Sequence, residues 1–319
     1  MTRSRHVSVH VDLSRVRSNA EAIKRRVGAG VDVIAVVKAD AYGLGVARVA
    51  AAVAGAVDRF CVFSLAEAVE ADLWNLAGKP TLTLSPPQSS DPRDYARHGV
   101  RPAVMSPEQA AALRDARCVL SVDTGMQRFA CPPADVARAL EAGRCDEAFT
   151  HAARVEAAAR LVQIVAAAGH ARGPGLRLHA AGSALLDEPA ARLDAVRPGL
   201  ALYRGAARVS SCLVEVRNSA GGVGYTGFTP ATGRHGVILA GYSNGLRLGP
   251  CLVNGRASRV VEVGMQSAYV ECSPDDRPGD EVVLLGEGVS EEAVAAAWGT
   301  TQQLVLVHLC ASGERHYSN

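Results

Sequence analysis

The chain has 319 residues, 48% hydrophobic and 21% charged, with a formal net charge of +2. That length allows two domains, or one barrel-sized domain with an addition, and the composition is that of a globular protein. Lys24-Arg25-Arg26 is the longest basic cluster, which speaks against a nucleic-acid or membrane surface, and eight cysteines without a C-x-x-C spacing exclude a zinc site or a disulfide framework.

The first residues lead into alternating His-Val-Ser-Val-His-Val rather than an apolar run, so neither a signal peptide nor a transmembrane helix is expected, and the free thiols suit the cytoplasm. His6 to Val11 alternates like a strand, and Asp12 is placed to cap a helix from Leu13 to about Arg26. Eight short β-rich runs follow: Val33-Val37, Phe60-Phe63, Thr81-Leu84, Pro102-Met105, Val119-Val122, Ala148-His151, Leu176-His179 and Ala195-Arg197. Between them lie helical stretches: Val46-Val57, Leu65-Asn75, Asp91-Arg97, Pro107-Asp115, Ala134-Glu141, Val155-Ala168 and Ala184-Leu193. At one of these starts Ser106 can cap, Pro107 suits the first helical position, and Gln109 can reach back to close a capping box.

Eight alternating units that close on themselves make a TIM (β/α)8 barrel, placed over residues 10–205. After Gly205 the texture changes to Val237-Leu239, Ala257-Val263, Ala268-Glu271, Glu281-Leu285 and Leu304-His308, all strand-like, with one helical piece at Glu291-Ala297. Residues 206–319, joined by the N-terminal strand within 1–9, form a C-terminal mostly-β domain.

Ala35-Val36-Val37-Lys38 puts a lysine at the end of an apolar strand, where it either snorkels to solvent as a surface residue or has its amine desolvated into a Schiff-base nucleophile. Other polar residues also fall at strand ends: Tyr42, Asp123, Arg128, His151, His179, Ser183, Arg197 and Gly199. In a barrel these share one mouth. Ser183 and the turn at Arg197-Pro198-Gly199-Leu200 offer backbone N–H groups where barrels hold phosphate. An aldehyde-binding amine and a phosphate cradle at one mouth point to pyridoxal phosphate.

The ordered motifs Val-Val-Lys38-Ala-Asp-Ala-Tyr42-Gly-Leu-Gly, Val122-Asp123-Thr124-Gly125-Met126-Gln127-Arg128, Leu178-His179-Ala-Ala-Gly-Ser183 and Val196-Arg197-Pro-Gly199-Leu200-Ala-Leu-Tyr203 resemble the alanine racemases of the fold-type III pyridoxal-phosphate enzymes. Gly241-Tyr242-Ser243-Asn244-Gly245, Gly286-Glu287-Gly-Val-Ser and Arg315-His316-Tyr317 extend the likeness to the second domain. The resemblance implies a racemase of alanine or another small amino acid that works as a homodimer with shared active sites, without a metal. By it Lys38 carries the cofactor and acts as one base, and Tyr242, from the β domain of a partner subunit, is the opposing base. It also implies that Tyr42, Ser183, Gly199, Leu200 and Tyr317 hold the phosphate, that Arg197 faces the ring nitrogen with His179 behind it, and that His151 lies near the ring. Arg128 then meets the substrate carboxylate and Met265 of the partner lines the substrate site.

The chain departs from the family pattern at Ser121, where a lysine is common, and at Gly182, Gln127, Arg204 and Gly264-Met265-Gln266. Two readings compete with racemisation: a decarboxylase or aldolase on the same scaffold, and a carrier or weakly active paralogue that binds the cofactor. Tyr242 on the opposite face favours racemisation, because chemistry on one face has no use for it.

Overall fold

A computed structural model describes residues 7–319, so His6 lies outside the described residues. The chain enters through strand β1 (Ser8–Asp12) and the helix Leu13–Val27. Asp12 caps this helix, its Oδ1 accepting from the Arg15 amide at 2.8 Å. Two compact units follow from the contacts: residues 16–41 with 46–202, and residues 42–45 and 203–319 with the segment up to residue 15.

The first unit is a parallel barrel built from β2 (Asp32–Val36), β3 (Arg59–Val62), β4 (Thr81–Thr83), β5 (Val100–Arg101), β6 (Ala103–Val104), β7 (Cys118–Ser121), β8 (Cys145–Phe149), β9 (Arg177–Gly182) and β10 (Ala195–Arg197). Their order is β5-β4-β3-β2-β10-β9-β8-β7-β6. The two ends, β5 and β6, are halves of one strand divided at Pro102, which has no N–H to give to a ladder, so the sheet returns to its start. Val33, Ile34 and Ala35 are fully buried, as expected of a parallel strand covered on both faces.

Strand positions agree with the sequence reading to within a few residues, with one consequence for the site. β9 extends past His179 to Gly182, so His179 lies inside the barrel and not beyond a strand end. Two expected helices are broken. Leu65-Asn75 divides into Leu65–Glu70 and Leu73–Ala77 around Asp72, whose φ is 49°. The stretch from Ala184 to Leu193 becomes a 3-10 turn at Ser183–Leu185 and a short helix Pro189–Arg192, because Pro189 cannot donate within a helix. The capping box at Ser106 is half formed: Ser106 Oγ accepts from the Gln109 amide, whereas Gln109 Oε1 reaches one residue further back, to the Met105 amide at 2.9 Å.

The second unit is antiparallel, with β11 (Ala207–Asn218), β12 (Arg234–Ile238), β13 (Gly249–Val253), β14 (Arg256–Val263), β15 (Ala268–Glu271), β16 (Glu281–Leu285) and β17 (Glu314–Ser318). The order β12-β15-β14-β13-β16-β11 closes on itself through a β11–β12 pairing, while β1 and β17 extend it beside β11. Leu304-His308 is not a strand: it lies within the helix Gln302–Ala311, capped by Thr301 Oγ1 on the Leu304 amide. A short apolar run reads equally as strand or buried helix, and the burial of Val305, Leu306, Leu309 and Cys310 has helical spacing.

Candidate active site

At the end of β2 the backbone takes an unusual path. Ala39, Asp40, Ala41 and Tyr42 all have positive φ, between 53° and 59°, so Lys38 stands at the head of a left-handed turn. That conformation costs roughly 1–2 kcal/mol per L-residue and needs local partners. Glu67 Oε1 accepts from the Ala39 amide at 3.0 Å, Asp40 Oδ1 accepts from the Val46 amide at 2.7 Å, and the Ala41 amide reaches the Val37 carbonyl at 2.9 Å.

Lys38 is half-buried. His151 is exposed at the surface, yet partial desolvation, then the charges of Arg197, Arg128 and Lys38, push its imidazole down to about 4. Burial pushes the neighbouring Cys61 thiol up to about 12 despite Arg197 and Lys38, and it stays uncharged. The barrel mouth is therefore a place for an anion.

Arg197, at the end of β10, is buried with the plane of its guanidinium over Phe149, 4.8 Å from the ring centre. Its NH2 donates to the Thr150 carbonyl at 2.6 Å, and its NH1 meets His179 Nδ1. A guanidinium only donates, so Nδ1 is the acceptor and the proton of neutral His179 sits on Nε2, which lies 3.0 Å from Glu147 Oε1. Burial, then Arg197, push His179 down to about 3. Burial pulls Arg197 down to about 10, which leaves it charged at neutral pH.

Beneath His179, Glu147 receives Arg59 through both its oxygens at 2.6 and 2.8 Å and Arg101 at 2.6 Å. Desolvation raises the Glu147 carboxyl, but His179 and Arg59 outweigh it and keep it ionised, well below the usual carboxylate range. The charge therefore runs from the floor of the barrel to its mouth.

Ser183, just past β9, accepts with its Oγ from the Gly199 and Ala201 amides, both at 3.0 Å, which ties it to the turn at Leu200. The barrel unit thus joins Ser183 to the turn at Gly199 and Leu200 and His179 to Arg197, and it sets the strand that leads to Lys38 beside the strand that ends at Arg197. In the β unit, the Tyr42 ring lies 4.9 Å from that of Tyr203, and a Cβ on Gly45 would fall 2.0 Å from the Tyr317 hydroxyl, so Tyr317 approaches the backbone just after Tyr42. Elsewhere in that unit the Tyr242 amide donates to the Gly264 carbonyl and the Ser243 amide to that of Met265. Tyr242 and Met265 are neighbours there and are 58% and 62% exposed, open to a further surface.

Sequence reasoning did not find Glu67, Glu147 or Thr150. Glu67 carried a signal, the Ser64-x-x-Glu67 spacing of a capping box, and Glu147 another, an acidic residue next to Asp146 within the barrel strand Cys145–Phe149. Thr150 acts through its carbonyl, which leaves no trace in the sequence.

An α/β barrel with a cation-lined mouth, followed by a closed β unit, defines a two-part barrel enzyme. Its family is the alanine racemases, to which the chain belongs: the alanine racemase N-terminal domain matches residues 11–207 and the C-terminal domain residues 206–317. The chain is 31% identical to the alanine racemase of Pectobacterium atrosepticum, over 92% of this chain and 93% of that one. The biosynthetic alanine racemase from Pseudomonas aeruginosa superposes with a TM-score of 0.85 at 27% identity, covering 99% of this chain and 100% of that one. An alanine racemase from Bartonella henselae with covalently bound pyridoxal phosphate shares the fold, with a TM-score of 0.83 at 20% identity and coverage of 98% and 99%.

The residues present fit such a group. Arg197 is a buried cation whose hydrogen-bond partners among the described residues are carbonyls and an imidazole, without a carboxylate. Lys38 and Arg128 add two more positive charges at the same mouth.

Proposed function

We propose that the chain is a pyridoxal-phosphate-dependent racemase of alanine or another small amino acid, acting as a cytoplasmic homodimer by a two-base mechanism. The observation that carries this reading is the buried Arg197, held by the Thr150 carbonyl and His179 Nδ1 at the end of β10, beside the strand β2 that leads to Lys38. Among the described residues no helix is long and apolar enough to cross a membrane.

Pyridoxal phosphate, when bound, supplies an aldehyde for an amine and a ring that draws electrons from the amino acid α-carbon. Lys38, Tyr42, His151, His179, Ser183, Arg197, Gly199, Leu200 and Tyr317 would hold it. Racemisation removes the α-proton from one face and returns a proton to the other, so two bases must flank the carbon. Lys38 Nζ serves one face, and the phenol oxygen of Tyr242 of the partner subunit serves the other. Arg128 holds the carboxylate, and Met265 of the partner subunit closes the side-chain end. Arg197 donates a hydrogen bond toward the ring nitrogen but does not surrender a proton, because a guanidinium is not an acid in this range. His179, neutral with its proton on Nε2, keeps that guanidinium aimed.

The test is α-proton exchange in deuterated water with excess pyridoxal phosphate, read by chiral chromatography and mass spectrometry over a panel of L- and D-amino acids. Deuterium incorporation with inversion is expected for alanine or a similarly small amino acid. Cofactor absorbance without exchange or inversion on any member would refute the racemase.

A further inference from the structure

Lys38 and Arg128 stand on loops that leave different strands, β2 and β7, and a continuous set of contacts runs between them. Glu67 bridges two strand ends: its Oε1 accepts from the Ala39 amide at 3.0 Å and its Oε2 from the Phe63 amide at 2.7 Å. Its own amide donates to Ser64 Oγ at 3.2 Å, which fixes the first helical turn that carries it. The Phe63 ring meets the Phe129 ring edge-on, 6.3 Å between centres. Phe129 follows Arg128 directly, has φ 46°, and its carbonyl accepts from the hydroxyl of Ser121 at 2.8 Å. On the other side of Arg128, Asp123 Oδ1 takes the amides of Gly125 at 2.7 Å and Gln127 at 3.1 Å. Desolvation raises the Asp123 carboxyl, but these amides outweigh it and hold the group below its ordinary range.

Phe63 and Phe129 are 42% and 47% exposed, so core burial does not account for their pairing. Ser121 is buried, with the loop carbonyl as its partner. We infer that Glu67, the Phe63–Phe129 ring pair and Ser121 form a brace that fixes the reach from Lys38 to Arg128, and thereby the affinity for the substrate carboxylate. This rests on the roles proposed above for Lys38 and Arg128. The physical need is plain: proton transfer to a carbon demands groups held within about 0.5 Å of the productive geometry, and loops reach that precision only with support. The brace residues do not touch the substrate in this account; they are positioning residues.

The test uses the cofactor-loaded enzyme and five single variants, Ser121→Ala, Ser121→Thr, Phe129→Leu, Glu67→Gln and Arg128→Ala, with cofactor absorbance, KM and kcat measured for the best amino acid. Ser121→Ala, which removes a hydrogen bond, and Phe129→Leu, which removes a ring contact, are each expected to raise KM by up to about tenfold, with absorbance and kcat little changed. Ser121→Thr keeps the hydroxyl and should restore KM. A purely structural role would lower thermal stability without this split between KM and kcat. If Arg128→Ala raises KM while Ser121→Ala and Phe129→Leu leave it unchanged, the brace is wrong and Arg128 stands. If Arg128→Ala itself leaves KM unchanged, the reading of Arg128 fails, and the brace with it. A double variant, Glu67→Gln with Phe129→Leu, should fall short of additivity in KM, as residues of one mechanical unit do; full additivity overturns the brace.

Discussion

Lowering the pH should destabilise the protein through His179, and the size of the effect follows from its surroundings. His179 is fully buried between Arg197 and Glu147, and burial, then Arg197, push its imidazole from 6.5 down to about 3. The unfolded chain binds this proton near pH 6.5, whereas the folded chain resists it, so the stabilisation is complete above that value and is lost as pH falls toward 3. At about 1.4 kcal/mol per pH unit, moving from pH 7 to pH 5 removes about 2 kcal/mol. His179→Gln offers an oxygen to Arg197 and an amide to Glu147 without titrating. Urea unfolding of both proteins at the two pH values isolates the difference, since His10, His151 and His235 titrate in each and cancel. The wild type should lose about 2 kcal/mol more than the variant. Equal losses would mean that His179 takes up its proton freely, and the neutral bridge to Arg197 would be wrong.

Two other substitutions examine the floor and the mouth of the barrel. Glu147→Gln strands Arg59 and Arg101, whose side chains are only 10% and 14% exposed, and should cost about 3–5 kcal/mol in urea unfolding, as removal of one partner of a buried ion pair does; a cost below about 1 kcal/mol would show that Asp32 and Asp146 suffice for them. Lys38→Ala should abolish the protein-bound cofactor absorbance together with racemisation, whereas Tyr242→Phe should retain the absorbance and lose activity preferentially from the L-enantiomer. Undiminished turnover of L-substrates by Tyr242→Phe would sink the two-base assignment.

The barrel was legible because parallel strands covered on both faces read as unbroken apolar runs, as at Val33 to Val37. The β unit was less so. β13 opens on Gly249-Pro250, a pair that signals a turn and leaves only Cys-Leu-Val to show a strand, β17 is the polar run Glu-Arg-His-Tyr-Ser, and the apolar Leu304-His308 reads as a strand because periodicity cannot sort so short a run. Within the site, side chains that end a strand announced themselves, as Lys38 and Arg197 did. What stayed hidden were the backbone partners. Nothing in Ala-Asp-Ala-Tyr specifies four left-handed residues, since alanine disfavours that region, and the conformation depends on Glu67 and Asp40 meeting amides brought close by the fold.

The same dependence explains why the charged column beneath the mouth matters to the chemistry above it. A buried guanidinium has donors and no acceptor, so Arg197 can be oriented only by groups that accept, and here these are the carbonyls of Thr150, His179 and Ala180 and the unprotonated Nδ1 of His179. Nδ1 stays unprotonated because a second proton would place an imidazolium against Arg197 in a buried site, while Glu147 is already occupied by two arginines. On the proposed reading Arg197 would offer the cofactor ring a hydrogen bond and no transferable proton. An electron sink supported in this way would be weaker than one with a protonated ring, which would disfavour transamination and leave the burden of removing the α-proton on Lys38 and Tyr242. On the proposed reading, the buried ionic floor therefore serves reaction specificity as well as stability, and the acid sensitivity expected of His179 is its measurable consequence.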